Sequence, residues 1–370
     1  MVKIGLPHKQ RVNKLQSQLA RKSAIFLSSP SSIRYYTGFV SLVPSERDAL
    51  LCITSSRAFL IHSTFSPLPN DISWIRMLTG TSSVSLQKHL VAILAEQPIQ
   101  TMFIDTENLT VSEFQVLQSQ GIDTQSLIGT ELQDFVTTQR LLKDAAEINR
   151  MQHAAQITAQ AVSQVQSLLT VGMTEIEVKR LLEHTMENAG AEGMAFPSIV
   201  AFGTNSALPH HQPSAAVLSD NMVVLIDVGA QVDGYCADMT RTIWFGSSPS
   251  KKFIEIETVV INAYVASLKI AKNFVETGEP TQLRSIDQAA RSLITDAGYG
   301  ELFTHTTGHG LGLDIHEHPS INWKSEVALQ SNMMFTIEPG IYIDGVFGVR
   351  YENTILISDN SINELTIHQD

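Results

Sequence analysis

The sequence predicts a mixed α/β (α+β) chain in two parts, a smaller one over residues 1–133 and a larger one over 134–370 made of two helix-helix-strand halves. Three observations predict it. At 370 residues the chain exceeds the usual span of about 100–200 residues for one domain. Up to residue 133, apolar runs of strand length alternate with short helical patterns. From Arg140 the texture changes to a long apolar stripe at helical spacing.

Taken in order, strands are expected at Ala24 to Leu27, Ala49 to Ile53, Ala58 to Ile61 and Met102 to Ile104, with helices at Val84 to Ala95 and Val111 to Leu117. Ile148, Met151, Ala155, Val162, Val165 and Leu169 form one face of a long amphipathic helix. Thr174 with Glu177 makes a capping box, and the helix it opens carries Val178, Leu181, Leu182 and Met186 before Gly190 stops it. Strands follow. A helix from Phe253 to about Phe274, another from Thr281 to Gly298, and strands at Met333 to Ile337 and Val349 to Ile357 repeat the order. This points to an internal duplication of roughly 110 residues, without a residue-level repeat.

Composition narrows the function. The chain is 43% hydrophobic and 17% charged, as folded proteins are. Its 37 acidic against 25 basic residues, net −12, oppose attraction to nucleic acid or acidic lipid. Only Cys52 and Cys236 occur, which excludes a disulfide scaffold and suits a reducing compartment. The first 25 residues intersperse Lys and Arg with single apolar residues, so neither a signal peptide nor a membrane span is expected, and the protein reads as cytoplasmic.

Six of the twelve His lie between His210 and His318, among acidic residues set on apolar strands. Met222 to Gly229 reads as a buried strand interrupted by Asp227, and Asp233-Gly234 is a hairpin turn signal after it. With those two residues in the turn, Asp238 faces Gly229 and Asp227 shares the face of Gly229. The two carboxylates become diagonal neighbours about 7–8 Å apart at the backbone, within reach of shared cations. His309 stands between glycines in Gly308-His309-Gly310-Leu311-Gly312, where backbone approaches closely. No Lys-Ser/Thr follows as in a phosphate loop, and His305 with His309 lacks the helix formers and the Glu of a zinc-binding helix. Glu338 ends an apolar strand, and Glu352 sits in another beside Arg350, a candidate ion-pair partner. Four buried acids cannot all be absorbed that way. Asp227, Asp238, Glu338 and Glu352 carry four negative charges, which two divalent cations balance, and His309 adds one imidazole. Such a set suits Mn, Co, Fe or Zn in a two-metal hydrolase. Cys236 reads as a small core residue, and no Gly-x-Ser-x-Gly elbow occurs.

Asp227, Asp238 eleven residues later, His309 in Gly-His-Gly-Leu-Gly, Glu338 in Glu-Pro-Gly-Ile-Tyr and Glu352 in Arg-Tyr-Glu-Asn together resemble the pita-bread metallopeptidases, over about residues 135 to 370. Ile33 to Phe39 resembles the creatinase-type N-domain of the proline-specific branch, and Phe196 to Val200 with Asn205 to His210 resembles the prolidase and aminopeptidase P members. The resemblance implies a pita-bread catalytic domain behind a smaller creatinase-like domain. It implies two divalent ions, manganese foremost: Asp227 on one, His309 and Glu338 on the other, Asp238 and Glu352 bridging. It further implies Glu338 as proton shuttle, His210 and His316 as active-site histidines that are not ligands, and His305, Tyr342 and Arg350 in the substrate pocket, with Arg350 also orienting Glu352.

The implied reaction cleaves the bond before proline in short peptides with proline second, as an Xaa-Pro aminopeptidase or, alternatively, an Xaa-Pro dipeptidase. Ser320 stands where several prolidases carry an Arg for the dipeptide carboxylate, which favours the aminopeptidase; Thr306 also departs from the family signature. A homodimer is implied, its N-domain limiting substrate length. A creatinase-like or binding-only member of the fold is the more distant alternative, and such members usually lose ligands of the set. His211 is expected at the surface.

Overall fold

In the computed structural model, residues 5–42, 47–69, 72–81, 83–127 and 131–367 are described. The chain divides into two units, 1–139 and 140–370. The expected boundary at 133/134 falls inside a continuous helix, Glu131–Leu141.

The first unit contains α1 (Gly5–Gln16), β1 (Ser23–Leu27), α2 (Pro30–Thr37), β2 (Ala49–Thr54), β3 (Ala58–His62), β4 (Arg76–Thr79), α3 (Leu86–Glu96), β5 (Thr101–Ile104), α4 (Val111–Ser119), β6 (Asp123–Ser126) and most of α5 (Glu131–Leu141). Its six strands form one sheet in the order β4-β3-β2-β1-β5-β6. The central strands are the apolar runs expected from sequence, and Phe26, Cys52, Phe59 and Met102 pack with Leu90 and Ile93 of α3 in one core. The edge strands β4 and β6 were not expected. Both are four residues long and mostly exposed, β6 is wholly polar, and β4 has only the adjacent Met77 and Leu78, so no apolar alternation marks them. Helix α2 was missed as well, although Ser29 caps it, Pro30 opens it and Gly38, at φ 74°, ends it.

The second unit begins with α6 (Ala145–Leu168) and α7 (Glu175–Asn188), the latter opened by the Thr174/Glu177 capping box as expected. Strands β7 (Gly193–Met194), β8 (Ile199–Phe202), β9 (Met222–Val228), β10 (Ala230–Val232), β11 (Tyr235–Cys236) and β12 (Met239–Phe245) follow. They form two three-stranded sheets, β12-β9-β8 and β11-β10-β7. Then the order recurs: α8 (Lys251–Thr277), α9 (Arg284–Asp296), β13 (Gly308–Gly310), β14 (Glu317–Ile321), β15 (Met334–Ile337), β16 (Gly340–Ile343), β17 (Phe347–Arg350), β18 (Asn353–Ile357) and β19 (Ile362–Glu364). These make the sheet β14-β13-β15-β18-β19 and the pair β16-β17. Each half packs its helices on its own strands: Val162, Val178 and Leu182 on Val224 and Ile226, and Leu268, Ala271 and Ile286 on Phe335 and Ile355.

The strand expected from Val349 to Ile357 breaks at Tyr351-Glu352. There Glu352 N–H crosses to the other half and donates to Thr240 O at 3.2 Å, while Tyr351 N–H donates to Pro339 O of its own half at 3.3 Å. The Thr242 hydroxyl and Thr354 hydroxyl knit the same seam to Arg350 O and Asp238 O, both at 2.9 Å. Among the described residues no helix is long and apolar enough to cross a membrane.

Candidate metal centre

The seam between the halves is where the acidic residues converge. Asp233 and Gly234, at φ 48° and 72°, form the two-residue turn that matches strand twist. Pairs Val232↔Tyr235, Gln231↔Cys236 and Met239↔Val228 keep one register through the hairpin, which sets Asp238 opposite Gly229 as the sequence suggested. Gly229 is required there, since a Cβ would lie 1.9 Å from Ala237 O. Glu352 comes from the second half, 1% exposed, and its Oε2 accepts a 2.6 Å hydrogen bond from the Thr240 hydroxyl.

His309 arrives on β13, squeezed between β14 and β15 with a bulge at His309/Gly310. Its neighbours must be glycine: a Cβ at 308 would meet Thr336 O at 1.9 Å, and one at 310 would meet His318 O at 2.4 Å. The imidazole Nδ1 lies 3.1 Å from Gly310 O, which can only accept, so Nδ1 carries the hydrogen and Nε2 offers a lone pair. Nε2 points at Glu338 Oε1, 3.4 Å away, and at Asp238 Oδ2, 3.5 Å away. Ligand atoms of Asp238, His309 and Glu352 all lie within 4.8 Å of one another.

Electrostatics make this assembly unfavourable by itself. Burial first, then Glu352, Asp227 and Glu338, push Asp238 well above the ordinary carboxylate value. Burial, with Glu338 and Asp227, does the same to Glu352, and burial also raises Glu338. Burial lowers His309, His305 and His316, so the imidazoles are held neutral. Asp227 Oδ1, Asp238 Oδ1 and Glu352 Oε1 are buried with no hydrogen-bond partner among the described residues. Orphaned carboxylate oxygens at such density are costly unless a cation takes them. The carboxylates of Asp238 and Glu352 with a neutral imidazole whose Nε2 carries a lone pair fit a hard or borderline divalent ion, and Glu338 lies 3.4 Å from that nitrogen.

Around this core, Arg350 is 4% exposed and donates to Asp227 Oδ2 at 2.5 Å, to the Tyr342 hydroxyl at 2.7 Å and to the Thr240 hydroxyl at 2.9 Å. The ion pair of Arg350 is with Asp227, and toward Glu352 it acts by charge and through the Thr240 hydroxyl, which donates to Glu352 Oε2. The Tyr342 hydroxyl in turn donates to His305 Nε2 at 2.9 Å, because His305 Nδ1 must donate to Thr306 O at 2.7 Å. Gly340 makes room for that hydroxyl, which a Cβ would meet at 2.6 Å. His210 and His316 are exposed, the latter with its ring 4.5 Å from that of His309, and His210 is near enough to bear on His316 electrostatically.

His211 was expected at the surface and is not there. The chain turns at Leu208, and His211 puts its ring against Glu175 at 2.8 Å, leaving the side chain 11% exposed. Cys236 is the small core residue expected, its thiol pushed up to about 12 by burial. Ser320 pairs with His309 across β13 and β14 and accepts a 2.8 Å hydrogen bond from the Asn322 amide. Sequence reading missed Thr240 and Glu317. Alternation from Asp238 puts Thr240 on the same strand face, a signal that could have found it.

The description "Metallopeptidase family M24" matches residues 149–359, and "Creatinase/Prolidase N-terminal domain" matches residues 11–141. An uncharacterized peptidase of Staphylococcus aureus (strain USA300) is 34% identical over 360 residues, covering 97% of this chain and 98% of its own. The solved structure of an Xaa-Pro dipeptidase from Bacillus anthracis superposes with TM-score 0.85 at 30% identity, over 98% of each chain. That of an X-Pro aminopeptidase from Thermotoga maritima MSB8 superposes with TM-score 0.79 at 30% identity, over 96% of this chain and 98% of its own. With the pita-bread arrangement of duplicated halves behind a creatinase-type first domain, the chain belongs to metallopeptidase family M24.

Proposed function

We propose that this protein hydrolyses the peptide bond preceding proline and releases the N-terminal residue, using two divalent ions, manganese foremost, held by Asp227, Asp238, His309, Glu338 and Glu352. The observation that carries this reading is the pair of buried carboxylates, Asp238 and Glu352, each with an oxygen that has no hydrogen-bond partner among the described residues, grouped within 4.8 Å of His309. When bound, such ions polarise the scissile carbonyl and make hydroxide available near neutral pH.

The protein's own groups do the rest. Glu338 receives the water proton and returns it to the departing nitrogen. A proline nitrogen has no hydrogen of its own and leaves only once protonated, so this transfer is decisive. His210 and His316, exposed beside the cluster, donate to the oxygen on which charge develops. The Arg350–Tyr342–His305 relay fixes Asp227 at one end and the pocket imidazole at the other.

Substrate length turns on residue 320. Ser320 supplies no cation for a dipeptide carboxylate, which supports an aminopeptidase accepting longer peptides. The higher TM-score with the dipeptidase, 0.85 against 0.79 at equal identity, supports the second reading, an Xaa-Pro dipeptidase. Ala-Pro, Ala-Pro-Ala and Ala-Ala-Ala offered to Mn-loaded protein decide between them. Cleavage of the proline tripeptide supports the aminopeptidase, cleavage of Ala-Pro alone the dipeptidase, and cleavage of Ala-Ala-Ala alone removes proline selectivity. Asp238→Ala is expected to lose bound metal and activity together, His210→Ala to keep metal and slow turnover. A homodimer is also proposed from the family resemblance, and a monomeric light-scattering mass would oppose it.

A further inference from the structure

Glu175 is the first residue of α7, yet the capping box of that helix is made by Glu177. Its own carboxylate, 0% exposed, turns away from the helix and gathers one surface segment. It accepts from Phe202 N–H at 2.7 Å, the Asn205 amide at 2.9 Å, His211 Nε2 at 2.8 Å, Ser214 N–H at 2.8 Å and the Ser214 hydroxyl at 2.7 Å. Burial would raise its pKa, but these hydrogen bonds outweigh burial and hold Glu175 below the ordinary carboxylate value. The charge also sits at the positive end of the α7 dipole.

The same segment is fixed at a second side. Gly348 N–H donates to the Ser206 hydroxyl at 2.9 Å, and a Cβ at Gly348 would lie 2.2 Å from Ser206 O, so the 3-10 turn Gly203–Ala207 lies flat on β17. Arg350 Nη1 reaches Pro209 O at 3.5 Å. His210 therefore stands between two held neighbours, Pro209 on Arg350 and His211 on Glu175, and is itself exposed.

We propose that Glu175 is a positioning residue, which through His211, Asn205 and Ser214 fixes the segment 203–211 so that His210 is presented to the substrate carbonyl. The proposal rests on the peptidase reading above for its catalytic consequence. Among the described residues none of the hydrogen bonds of Glu175 goes to a proposed metal ligand, and the route through His210 is the one the test isolates.

The test is a cycle of Glu175→Gln, His210→Ala and the double variant, assayed with Mn and whichever proline peptide the wild type cleaves, alongside amide hydrogen exchange. Gln keeps the shape but offers a single acceptor oxygen where the carboxylate uses both. Glu175→Gln is expected to lower kcat about 10- to 100-fold with KM and Mn content little changed. In the His210→Ala background the same change should cost less than about twofold. Exchange over 202–214 should quicken while the 222–245 hairpin keeps its protection. His211→Ala, which removes one of the five contacts, should show a smaller loss that also vanishes with His210 absent. Additive losses, or Glu175→Gln that binds less Mn, would overturn the proposal, as would unchanged exchange over 202–214. If wild type cleaves no proline peptide, the peptidase reading fails, and quickened exchange would still support the anchoring of the segment.

Discussion

Glu317, the residue after His316, is the buried charge whose removal has the most calculable consequence. Its side chain is 6% exposed, with Oε1 2.5 Å from Arg140 Nη2 and Oε2 3.3 Å from Lys143 Nζ. Asp314 N–H donates to Oε1 at 3.2 Å, and Gly312 packs so closely that a Cβ would stand 2.6 Å from the same oxygen. Burial alone would raise the carboxyl, but Arg140, Lys143 and these hydrogen bonds prevail and hold it at about 2 against an ordinary 4.5. At 1.36 kcal/mol per pH unit the difference amounts to about 3 kcal/mol. Because the folded value is depressed, that stability is present above the unfolded value near 4.5 and is lost as pH falls through about 2. Glu317→Gln, near-isosteric and neutral, is therefore expected to destabilise the 140–370 unit by about 3 kcal/mol at about pH 7, with less than about half of that gap left at about pH 3. Urea unfolding followed by Trp fluorescence in a Trp74→Phe background, where Trp244 and Trp323 report, measures it. A gap under about 1 kcal/mol at neutral pH, or one that does not narrow on acidification, would refute the assignment of Glu317 as an ionised anchor.

Three further outcomes are expected. Asp238 and Glu352 hold raised pKa values, so in metal-free protein their contribution is fully present below the unfolded value and declines as pH rises through the folded ones. Mn binding should then release protons and tighten with pH; calorimetry in buffers of differing ionisation enthalpy reads this, and proton-neutral binding would contradict it. Gly308→Ala forces β13 away from Thr336 O, 1.9 Å from the new Cβ, and should cost about 1–3 kcal/mol and weaken Mn binding, whereas Gly193→Ala, with open space at its Cβ, should leave the Mn isotherm as it is. Tyr342→Phe cuts the relay between Arg350 and His305 and should lower kcat/KM about tenfold with Mn content unchanged; an unaltered kcat/KM would remove Tyr342 from the pocket.

What sequence revealed depended on whether a pattern was local. The Asp233-Gly234 turn fixed the register of its own hairpin, so the diagonal placement of Asp227 and Asp238 was legible from a dozen residues. The glycines around His309 signalled close backbone approach, and the approaching carbonyls are those of Thr336 and His318. The edge strands β4 and β6 bury little and carry no apolar alternation, so nothing in their residues marks them. The Glu175–His211 pair joins residues 36 apart on a helix end and a loop, and a polar pair of that kind has no periodicity to read. For the same reason His211 read as surface and Arg350 was assigned to the nearby Glu352 rather than to Asp227, 123 residues away.

The division of the proposed ligands bears on why the halves need each other. Asp227 and Asp238 lie in the first half, and His309, Glu338 and Glu352 in the second, so neither half can enclose a cation alone. The hydrogen bonds that dock them, Asp238 with Thr354, Thr240 with Glu352 and Thr242 with Arg350, run through or beside those same residues. Docking therefore forces like charges together in a buried place, a cost that Arg350 offsets in part, pairing with Asp227 and bearing more weakly on Asp238, Glu338 and Glu352. On the proposed function a bound divalent ion would remove that cost and so couple ion binding to the joining of the halves. Hydrogen exchange along 238–242 and 350–354 should accordingly slow on adding Mn far more than exchange along β1 or β2 of the first unit; equal slowing in both units would mean that the ion stabilises the chain in some other way.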